Sequence, residues 1–218
     1  MKKSYKYIMG VDPGINGAVC IMNVQNINDP QIEIHDAPTF VEVKKLKGGK
    51  KRNQKNLDFY GMCNLIKPYK RYNTLFCIEK VHSLTGQGVA STFKFGVGYG
   101  VWQGAAYALQ FDIITISPQN WKKHWSDKLI QNLSKPKILK DSDFNSLNTK
   151  QKMEYLKNQE EYGKEKRKSK ERSKDLAREL ASELYPELSD YFKLKKHDGR
   201  AESLLIAERQ RQEILHGT

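Results

Sequence analysis

The stretch YIMGVDPGINGAV, which begins at Tyr7, constrains the fold of this chain more than any other feature of its sequence. A short apolar run ends at Asp12 and a Pro-Gly pair follows at once, which is typical of a β-strand that ends in a tight turn. A second apolar run, residues 17–24, lies close enough to pair with the first as a hairpin. The small residues Gly14 and Gly17 leave room for a bulky group beside the backbone, and a phosphate fits that description. The alternative is an ordinary hairpin with a solvated aspartate in its turn.

A second acid follows an apolar strand further along the chain. The stretch TLFCIEKV, residues 74–81, predicts a buried strand that runs into Glu79. Burying an unpaired charge costs free energy, so this carboxylate needs a cation, either a metal ion or a side chain such as Lys80. The alternative is a glutamate at the solvated edge of its strand, or one held in a salt bridge.

A pair of acids opens the last helical segment, HDGRAESLLIAE. Asp198 and Glu202 are four residues apart, so on a helix they share one face. Two acids placed in this way repel each other unless a cation lies between them, while the apolar residues 204–207 bury the helix against the sheet. The alternative is a helix N-terminus that favours acids through its dipole.

The order of the predicted elements indicates an α/β fold. Three strands, a helix, a strand, a second helix, a fifth strand and a run of helices predict a mixed sheet flanked by helices. The strands are predicted at residues 5–11, 17–24, 31–36, 74–78 and 111–116, and the helices at residues 57–66, 89–109, from Ser117 onward, along the leucine stripe 176, 180 and 184 up to Pro186, and at residues 198–215. We expect the glycine-rich helix at residues 89–109 to be buried. Residues 1–218 are predicted to form a single domain.

Two regions differ from the rest in composition. Residues 43–56 are rich in lysine and contain two adjacent glycines, so we expect an exposed basic loop. Residues 126–172 are polar, lysine-rich and poor in β-branched residues, and we expect a basic, largely helical insertion there. Within it, residues 151–172 alternate basic side chains with Glu and Gln, which is typical of an exposed helix.

The overall charge points to a polyanionic partner. The chain carries 38 Lys and Arg against 25 Asp and Glu, a formal net charge of +13, and nucleic acid is the first candidate for such a chain. A generically basic surface is the alternative.

The three cysteines, Cys20, Cys63 and Cys77, lie in apolar contexts without a CxxC pair, which predicts reduced thiols and an intracellular protein. The sequence has no apolar run of about 18 residues, so we expect no membrane span.

The four acids Asp12, Glu79, Asp198 and Glu202 form a more specific pattern than any one of them alone. Hard oxygen ligands of this kind suit Mg²⁺ or Mn²⁺. Two such ions about 4 Å apart align a water for in-line attack on a phosphodiester and stabilise the leaving oxygen. We therefore expect these residues to be both metal ligands and catalytic residues, with two ions in each site and no small-molecule substrate.

Three stretches resemble the RuvC-like Holliday junction resolvases of the RNase H-like nuclease superfamily: GVDPGINGAV, CIEKVHSLTGQGVASTFKFGVGYGVWQGA and KHDGRAESLLIAE. They occur in the family's order and spacing, and the resemblance covers most of residues 5–125 and 173–210, closest in character to phage, viral or organellar members. It implies an RNase H-like mixed five-stranded sheet flanked by helices. It also implies a homodimeric, Mg²⁺-dependent endonuclease that cuts four-way DNA junctions symmetrically in recombination and repair, leaving 5′-phosphate and 3′-hydroxyl ends.

The resemblance assigns the acids one by one. Asp12 matches the aspartate of the first strand, Glu79 the glutamate of the fourth, and Glu202 the helix carboxylate. The family often has its third acid three residues before the last, where this chain has Gly199, so Asp198 is the expected substitute and His197 the alternative. The family's aromatic residue at the junction centre corresponds to His82, and we leave this stacking role open among His82, Leu84 and Phe93.

The resemblance and the charge pattern together predict which residues contact DNA. We expect phosphate contacts from Lys50, Lys51, Arg52, Lys94, Lys122 and Lys123, with Lys166, Arg167 and Lys168 as further candidates. Lys80 or Lys195 is expected to stabilise developing charge, while Trp121 and Trp125 are expected in the core. The helix at residues 93–109 matches the family's dimer interface, although a plain core helix explains the same pattern of small residues.

Three other functions are compatible with parts of the pattern. An RNase H-like nuclease for RNA–DNA hybrids or other branched DNA needs the same acids. A junction-binding protein that does not cut needs the positive charge but has no use for four like charges facing DNA. A sugar-kinase or actin-like ATPase also ends its first strand near an Asp-Gly turn, but the sequence shows no second phosphate-binding turn.

Overall fold

The structure is a computed structural model, and it describes residues 4–45, 47–82, 88–126, 129, 136 and 138–217. Within these residues the strands are β1 (Tyr7–Val11), β2 (Ala18–Asn23), β3 (Gln31–Asp36), β4 (Thr39–Lys45), β5 (Lys51–Leu57), β6 (Thr74–Glu79) and β7 (Asp112–Ile116). The α-helices are α1 (Phe59–Ile66), α2 (Val89–Ala108), α3 (Pro118–Trp125), α4 (Asp141–Ser146), α5 (Thr149–Leu184) and α6 (Asp198–His216).

Five strands form a mixed sheet in the order β3-β2-β1-β6-β7. The neighbours β1–β2 and β2–β3 are antiparallel, whereas β1–β6 and β6–β7 are parallel. Val11, the last residue of β1, pairs with Ile78, and Glu79 is the last residue of β6. Asp12 and Glu79 therefore leave two adjacent strands at the same edge of the sheet.

Alternating side chains of the central strands build two cores, one on each face of the sheet. Ile8, Cys20 and Leu75 point to the face covered by α3, α5 and α6, and Met9 and Phe76 point to the face covered by α1 and α2. Because both faces are covered, the central strands are almost entirely apolar. The predicted mixed five-stranded sheet flanked by helices is confirmed.

Helix α6 packs directly on β1 at Gly10. A Cβ atom added to Gly10 would lie 2.1 Å from the Ser203 carbonyl oxygen and 2.6 Å from the Ala207 nitrogen. Only glycine allows the helix backbone to come this close to the central strand. The close approach holds the N-terminal turns of α6, with their acids, against the end of β1.

The prediction of a basic loop at residues 43–56 is wrong. Strands β4 and β5 pair there as an antiparallel hairpin, with Thr39 opposite Leu57 and Lys45 opposite Lys51. Gly48 and Gly49 in the connection have φ angles of 84° and 78°, the left-handed conformation that tight hairpin turns require. The hairpin forms its own two-stranded sheet, separate from the central one.

Two helices also differ from the sequence predictions. Helix α2 buries only one side, through Gly98, Trp102 and Ala106, while Phe93 is 72% exposed. Its predicted burial is therefore wrong for half of its surface. The helix predicted at residues 151–172 and the leucine stripe beyond it form a single helix of 36 residues, α5.

The remaining predictions for the helices hold. Trp121 of α3 is fully buried, and Trp125 is part of the same core and donates a hydrogen bond from its indole nitrogen to the Leu205 carbonyl at 3.1 Å. Both tryptophans are core residues, as predicted. Within the described residues no helix combines the length and the apolar character needed to cross a membrane.

Candidate active site

Asp12 is fixed by the turn that follows β1. Its backbone nitrogen donates to the Ala18 carbonyl oxygen at 3.0 Å, which closes the β1–β2 connection. The Gly14 nitrogen donates to Asp12 Oδ1 at 3.1 Å, a side-chain turn of the kind that Asp forms readily. The Pro-Gly pair thus orients the carboxylate as well as turning the chain.

The space beside this turn is filled by protein. A Cβ atom on Gly17 would lie 2.1 Å from the Asp12 carbonyl oxygen, and one on Gly199 would lie 2.5 Å from the Asn16 carbonyl oxygen and 3.0 Å from Asp12 Oδ2. The prediction that Gly17 leaves room for a phosphate is therefore wrong. The first turn of α6 occupies this space, and an acidic side chain at position 199 would collide with the turn.

Glu79 is oriented by a buried tryptophan. Trp121 of α3 donates a hydrogen bond from its indole nitrogen to Glu79 Oε1 at 2.8 Å. The strand therefore delivers the carboxylate to the sheet edge, and α3 sets the direction of one of its oxygens.

The two acids of α6 each meet a lysine from another helix. Lys174 of α5 forms an ion pair and hydrogen bond with Asp198 Oδ2. Lys122 of α3 lies with its Nζ 3.6 Å from Glu202 Oε1. Helices α3, α5 and α6 thus converge on the sheet edge where Asp12 and Glu79 emerge.

The pKa shifts show that the four acids act on one another. Burial raises the pKa of Asp12 well above its ordinary value, and the charges of Glu202, Glu79 and Asp198 raise it further against the opposing hydrogen bond from Gly14. Burial and the charge of Glu202 raise the pKa of Glu79 to about 7, although the Trp121 hydrogen bond lowers it. Glu79 therefore takes up a proton near neutral pH unless another cation joins the site, and the pKa of Asp12 shifts in the same direction.

The lysines compensate only part of this charge. Burial also raises the pKa of Glu202, while Lys122 and Lys174 oppose the shift. Burial lowers the pKa of Lys174, but its hydrogen bond and ion pair with Asp198 outweigh that effect and raise it overall. The two lysines thus contact only two of the four acids, and neither Asp12 nor Glu79 has an ion pair within the described part of the chain.

The donor set fits a divalent cation of the Mg²⁺ type, although its ligands are not gathered at one point. Carboxylate oxygens are the ligands that such ions prefer, and Asp12, Glu79 and Glu202 are buried acids with raised pKa values. No group of three or more His, Cys, Asp or Glu side chains among the described residues is arranged to hold a metal ion. Asp198 and Glu202 form ion pairs with Lys174 and Lys122 instead. These lysines have to move away before all four acids can serve as ligands.

A cavity of about 310 Å³ opens beside Asp198. Its walls are formed by Arg167, Lys170, Glu171, Lys174, Asp175, Lys195 and Asp198. Four of these seven residues are basic, and most of them come from α5. The charged helix predicted in the insertion therefore places cations next to the acids.

Most of the other predicted site residues are exposed. Lys50, Lys51 and Arg52 are exposed on the β4–β5 hairpin and its turn, and His82, Lys94 and Lys123 are also exposed. His197 is buried, and its Nδ1 accepts a hydrogen bond from the Leu194 nitrogen at 3.4 Å, whereas Asp198 acts electrostatically on Asp12 and Glu202. Leu84 lies outside the described residues.

Two roles were missed by the sequence analysis. Lys174 was not identified at all, and Lys122 was expected on DNA rather than beside Glu202. The expected charge stabiliser Lys195 pairs instead with Glu171, at 2.5 Å. The sequence holds no local signal for Lys174, because its role depends on Asp198, which lies 24 residues further along the chain.

No protein-family model matches the chain, and no curated protein matches it. Among solved structures, the chain is similar to Thermus thermophilus RuvC in complex with a Holliday junction substrate, with 12% sequence identity and a TM-score of 0.43 over 98% of each chain. It is also similar to the yeast mitochondrial Holliday junction resolvase Ydc2, with 14% identity and a TM-score of 0.40 over 96% of this chain and 80% of that chain.

A second Thermus thermophilus RuvC structure is similar with 14% identity and a TM-score of 0.30 over 54% of this chain and 67% of that chain. These structures belong to the group that the three sequence motifs resemble. Because identities and scores are low, the chemistry of this site has to be inferred from the chain's own residues.

Proposed function

We propose that the chain is a metal-dependent nuclease that resolves four-way DNA junctions. The observation that carries this proposal is the convergence of four acids, Asp12, Glu79, Asp198 and Glu202, at one edge of the sheet, where burial and neighbouring acidic charges raise the pKa values of Asp12, Glu79 and Glu202. A structural protein gains nothing from buried carboxylates that repel each other, whereas phosphodiester hydrolysis needs them to hold cations.

The acids would hold Mg²⁺, or Mn²⁺ in its place, with two ions in each site. When bound, such ions lower the pKa of a water and stabilise charge on the phosphate oxygens. The protein's own part is to present the ligands in a fixed arrangement. The Gly14 nitrogen orients Asp12, Trp121 orients Glu79, and the close packing of α6 at Gly10 sets the position of Asp198 and Glu202.

The reaction balances as a simple hydrolysis. A water oxygen forms a bond to phosphorus, the bond from phosphorus to the 3′ oxygen breaks, and that oxygen takes up a proton. The products are a 5′-phosphate and a 3′-hydroxyl. Lys122 and Lys174 lie beside the acids, where their positive charges would stabilise the negative charge that develops on the phosphate.

The basic surfaces around the acids support a DNA substrate. The cavity beside Asp198 carries Arg167, Lys170, Lys174 and Lys195, and the predicted contacts Lys50, Lys51, His82, Lys94 and Lys123 are exposed on other elements. Phosphate contacts of this kind supply affinity by releasing counterions from DNA. The predicted phosphate contacts are therefore part of the same proposal. We also propose an intracellular location, which the free thiols of Cys20, Cys63 and Cys77 support.

A homodimer through α2 completes the proposal, because symmetric cutting of a junction needs two sites. The exposed side of α2 carries Gly96, Gly100 and Gly104, and apart from the helix's own backbone no atom of the described residues lies within 4 Å of a Cβ atom built on any of them. Phe93 and Val97 are exposed beside these glycines. A stripe of small residues flanked by apolar side chains permits a second helix to approach closely.

The test is cleavage of a labelled synthetic four-way junction, with a matched linear duplex and an RNA–DNA hybrid as controls, in Mg²⁺ and in EDTA. Paired symmetric nicks in the junction alone, lost in EDTA and in Asp12→Asn, are expected. Binding without cutting in Mg²⁺ or Mn²⁺ would replace the proposal with a structural junction-binding protein. Cutting of the hybrid alone would keep the metal centre and change the substrate.

A further inference from the structure

The β4–β5 hairpin is the most basic element of the described chain. Residues 39–57 contain seven lysines and arginines and a single acid, Glu42. The two strands lie outside the central sheet, and most of their residues are exposed. Such a ribbon is too polar to be held in place by a core, so the placement of its charges has to be explained in another way.

The register of the hairpin sorts these charges onto two faces. Side chains alternate along each strand, and residues paired across the strands share a face. One face, called here the site face, carries the pairs Val41–Lys55, Val43–Asn53 and Lys45–Lys51. The other, called the outer face, carries the pairs Phe40–Asn56, Glu42–Gln54 and Lys44–Arg52. The neighbouring basic residues Lys51 and Arg52 therefore point in opposite directions, so that only Lys51 of these two predicted DNA contacts lies on the site face.

The site face is directed towards the candidate active site at the base of the hairpin. Lys55 donates a hydrogen bond from Nζ to Asn16 Oδ1 at 3.0 Å, and Asn16 belongs to the turn that follows Asp12. Leu57 packs on α2, where its Cδ1 lies 2.4 Å from the position of a Cβ atom on Gly98. The site face thus continues the surface that contains Asp12.

The outer face satisfies its polar groups within the hairpin. Asn56 donates a hydrogen bond to Glu42 Oε2 at 3.2 Å, and Gln54 donates to Asn56 Oδ1 at 2.9 Å. The acid of the hairpin is part of this network, so the site face is left with lysines and no acid. The two faces of one small ribbon therefore differ in net charge as well as in direction.

We propose that the site face of the hairpin binds the phosphate backbone of a DNA duplex arm that leads into the active site. This inference rests on the proposed function for the identity of the polyanion. Lys51 and Lys55 are four residues apart on one strand, a spacing of about 13 Å that is comparable with the roughly 12 Å width of the DNA major groove, which admits a two-stranded ribbon. Val41 and Val43 lie on the same face as the lysines, where they can contact the apolar surface of the groove.

The test compares two neighbouring rungs of the hairpin. Lys45→Gln with Lys51→Gln removes two charges from the site face, and Lys44→Gln with Arg52→Gln removes two charges from the outer face. Both variants lose the same net charge at nearly the same position, and none of the four side chains has a hydrogen bond or ion pair among the described residues that the substitution would break. Thermal unfolding of both variants, expected to match the unsubstituted chain, controls for folding.

Binding is measured in EDTA, so that nothing is cut, to a four-way junction and to a linear duplex at several salt concentrations. The site-face variant is expected to bind at least about 10-fold more weakly at 0.1 M salt, and its plot of log K against log salt is expected to be shallower by about 1.8, the loss of two phosphate contacts. The outer-face variant is expected to lose less than about 3-fold. Lys55→Gln alone is expected to reduce the slope by about 0.9.

Equal losses in the two double variants would overturn the inference, because they would show a general effect of charge, and so would unchanged binding in the site-face variant. These outcomes are separate from failure of the proposed function. If the unsubstituted chain cuts no junction but the site-face variant alone loses duplex binding, the hairpin inference stands and the nuclease proposal fails. If the chain cuts junctions and both variants bind alike, only the hairpin inference fails.

Discussion

Helix α6 carries two glutamates, with side chains at most 12% exposed, that differ in how their charges are compensated. Glu208, only 2% exposed, accepts hydrogen bonds from Tyr185 at 2.6 Å, from two nitrogens of Arg211 at 2.7 Å each, and from Gln212 at 2.9 Å. Glu202, less than two turns earlier, has Lys122 at 3.6 Å and lies in the electrostatic reach of further acids.

The difference distinguishes structural charge from functional charge. A buried ion stabilises a fold only when its partners are complete, and Glu208 meets that condition. The cluster around Glu202 does not, because its two lysines contact only two of its four acids. Local charge that the fold leaves uncompensated is characteristic of a functional site.

The largest expected effect separates the two glutamates by activity. Glu202→Gln should reduce the rate of junction cleavage by about 10³-fold or more, which corresponds to roughly 4 kcal/mol, because it removes a ligand charge from the site. Glu208→Gln on the same helix should keep most of its rate at temperatures where the variant is folded. Single-turnover cleavage of a labelled junction measures both, and a similar loss in the two variants would break the comparison.

Stability should give the opposite ranking. Glu208→Gln leaves the partly buried guanidinium of Arg211 without its charge partner and should lower the free energy of unfolding by about 3 kcal/mol. Glu202→Gln removes a charge that repels Asp12 and Glu79, and its free energy of unfolding without metal should be unchanged or higher. Urea unfolding in EDTA tests this, and a large destabilisation by Glu202→Gln would show that its charge serves the fold.

The pH dependence of stability sharpens the same point. The pKa of Glu79 rises from 4.5 to about 7 on folding, so between these values the folded state holds more protons than the unfolded state. Stability without metal should therefore fall as pH rises from about 5 to 8, by up to roughly 3 kcal/mol from this group. Glu79→Gln should flatten the profile in urea unfolding. An equal decline in the variant would assign the effect to other groups.

The smallest expected effect concerns the orientation of Glu79. Trp121→Phe removes the hydrogen bond to Glu79, should raise the pKa of Glu79 further, and should slow cleavage at neutral pH by about 10-fold. Trp102→Phe is the matched control, because Trp102 is also fully buried and its indole nitrogen has no partner among the described residues. The profile of cleavage rate against pH should move to higher pH only for Trp121→Phe. The same movement in both variants would indicate a packing effect.

Much of the site could be predicted from local sequence patterns. Asp12 and Glu79 end buried strands, and a strand needs no long-range information to be recognised when both of its faces are apolar. Glu202 shares a helix face with Asp198, which spacing alone reveals. The sheet order then brings these predictions together, because β1 and β6 are parallel neighbours.

The parts that could not be predicted depend on partners distant in sequence. Lys174 is recognised as a site residue by its ion pair with Asp198, and no sequence pattern around position 174 predicts that contact. Strands β4 and β5 were missed because lysines on both faces hide the alternation that marks a half-buried strand, although Gly48-Gly49 signals a hairpin turn. The role of Gly17 was misjudged because its close neighbour, Gly199, belongs to another element.

We infer that the acids at the sheet edge lack enough positive partners because they bind divalent cations. Thermal unfolding with and without Mg²⁺ at pH 8 tests this inference. Millimolar Mg²⁺ is expected to raise the melting temperature of the unsubstituted chain, since a ligand that binds only the folded state stabilises it. Asp12→Asn should melt no lower than the unsubstituted chain in EDTA and should gain less from Mg²⁺. The cation hypothesis is wrong if neither Mg²⁺ nor Mn²⁺ changes the melting temperature of the unsubstituted chain and if Asp12→Asn lowers that temperature in EDTA.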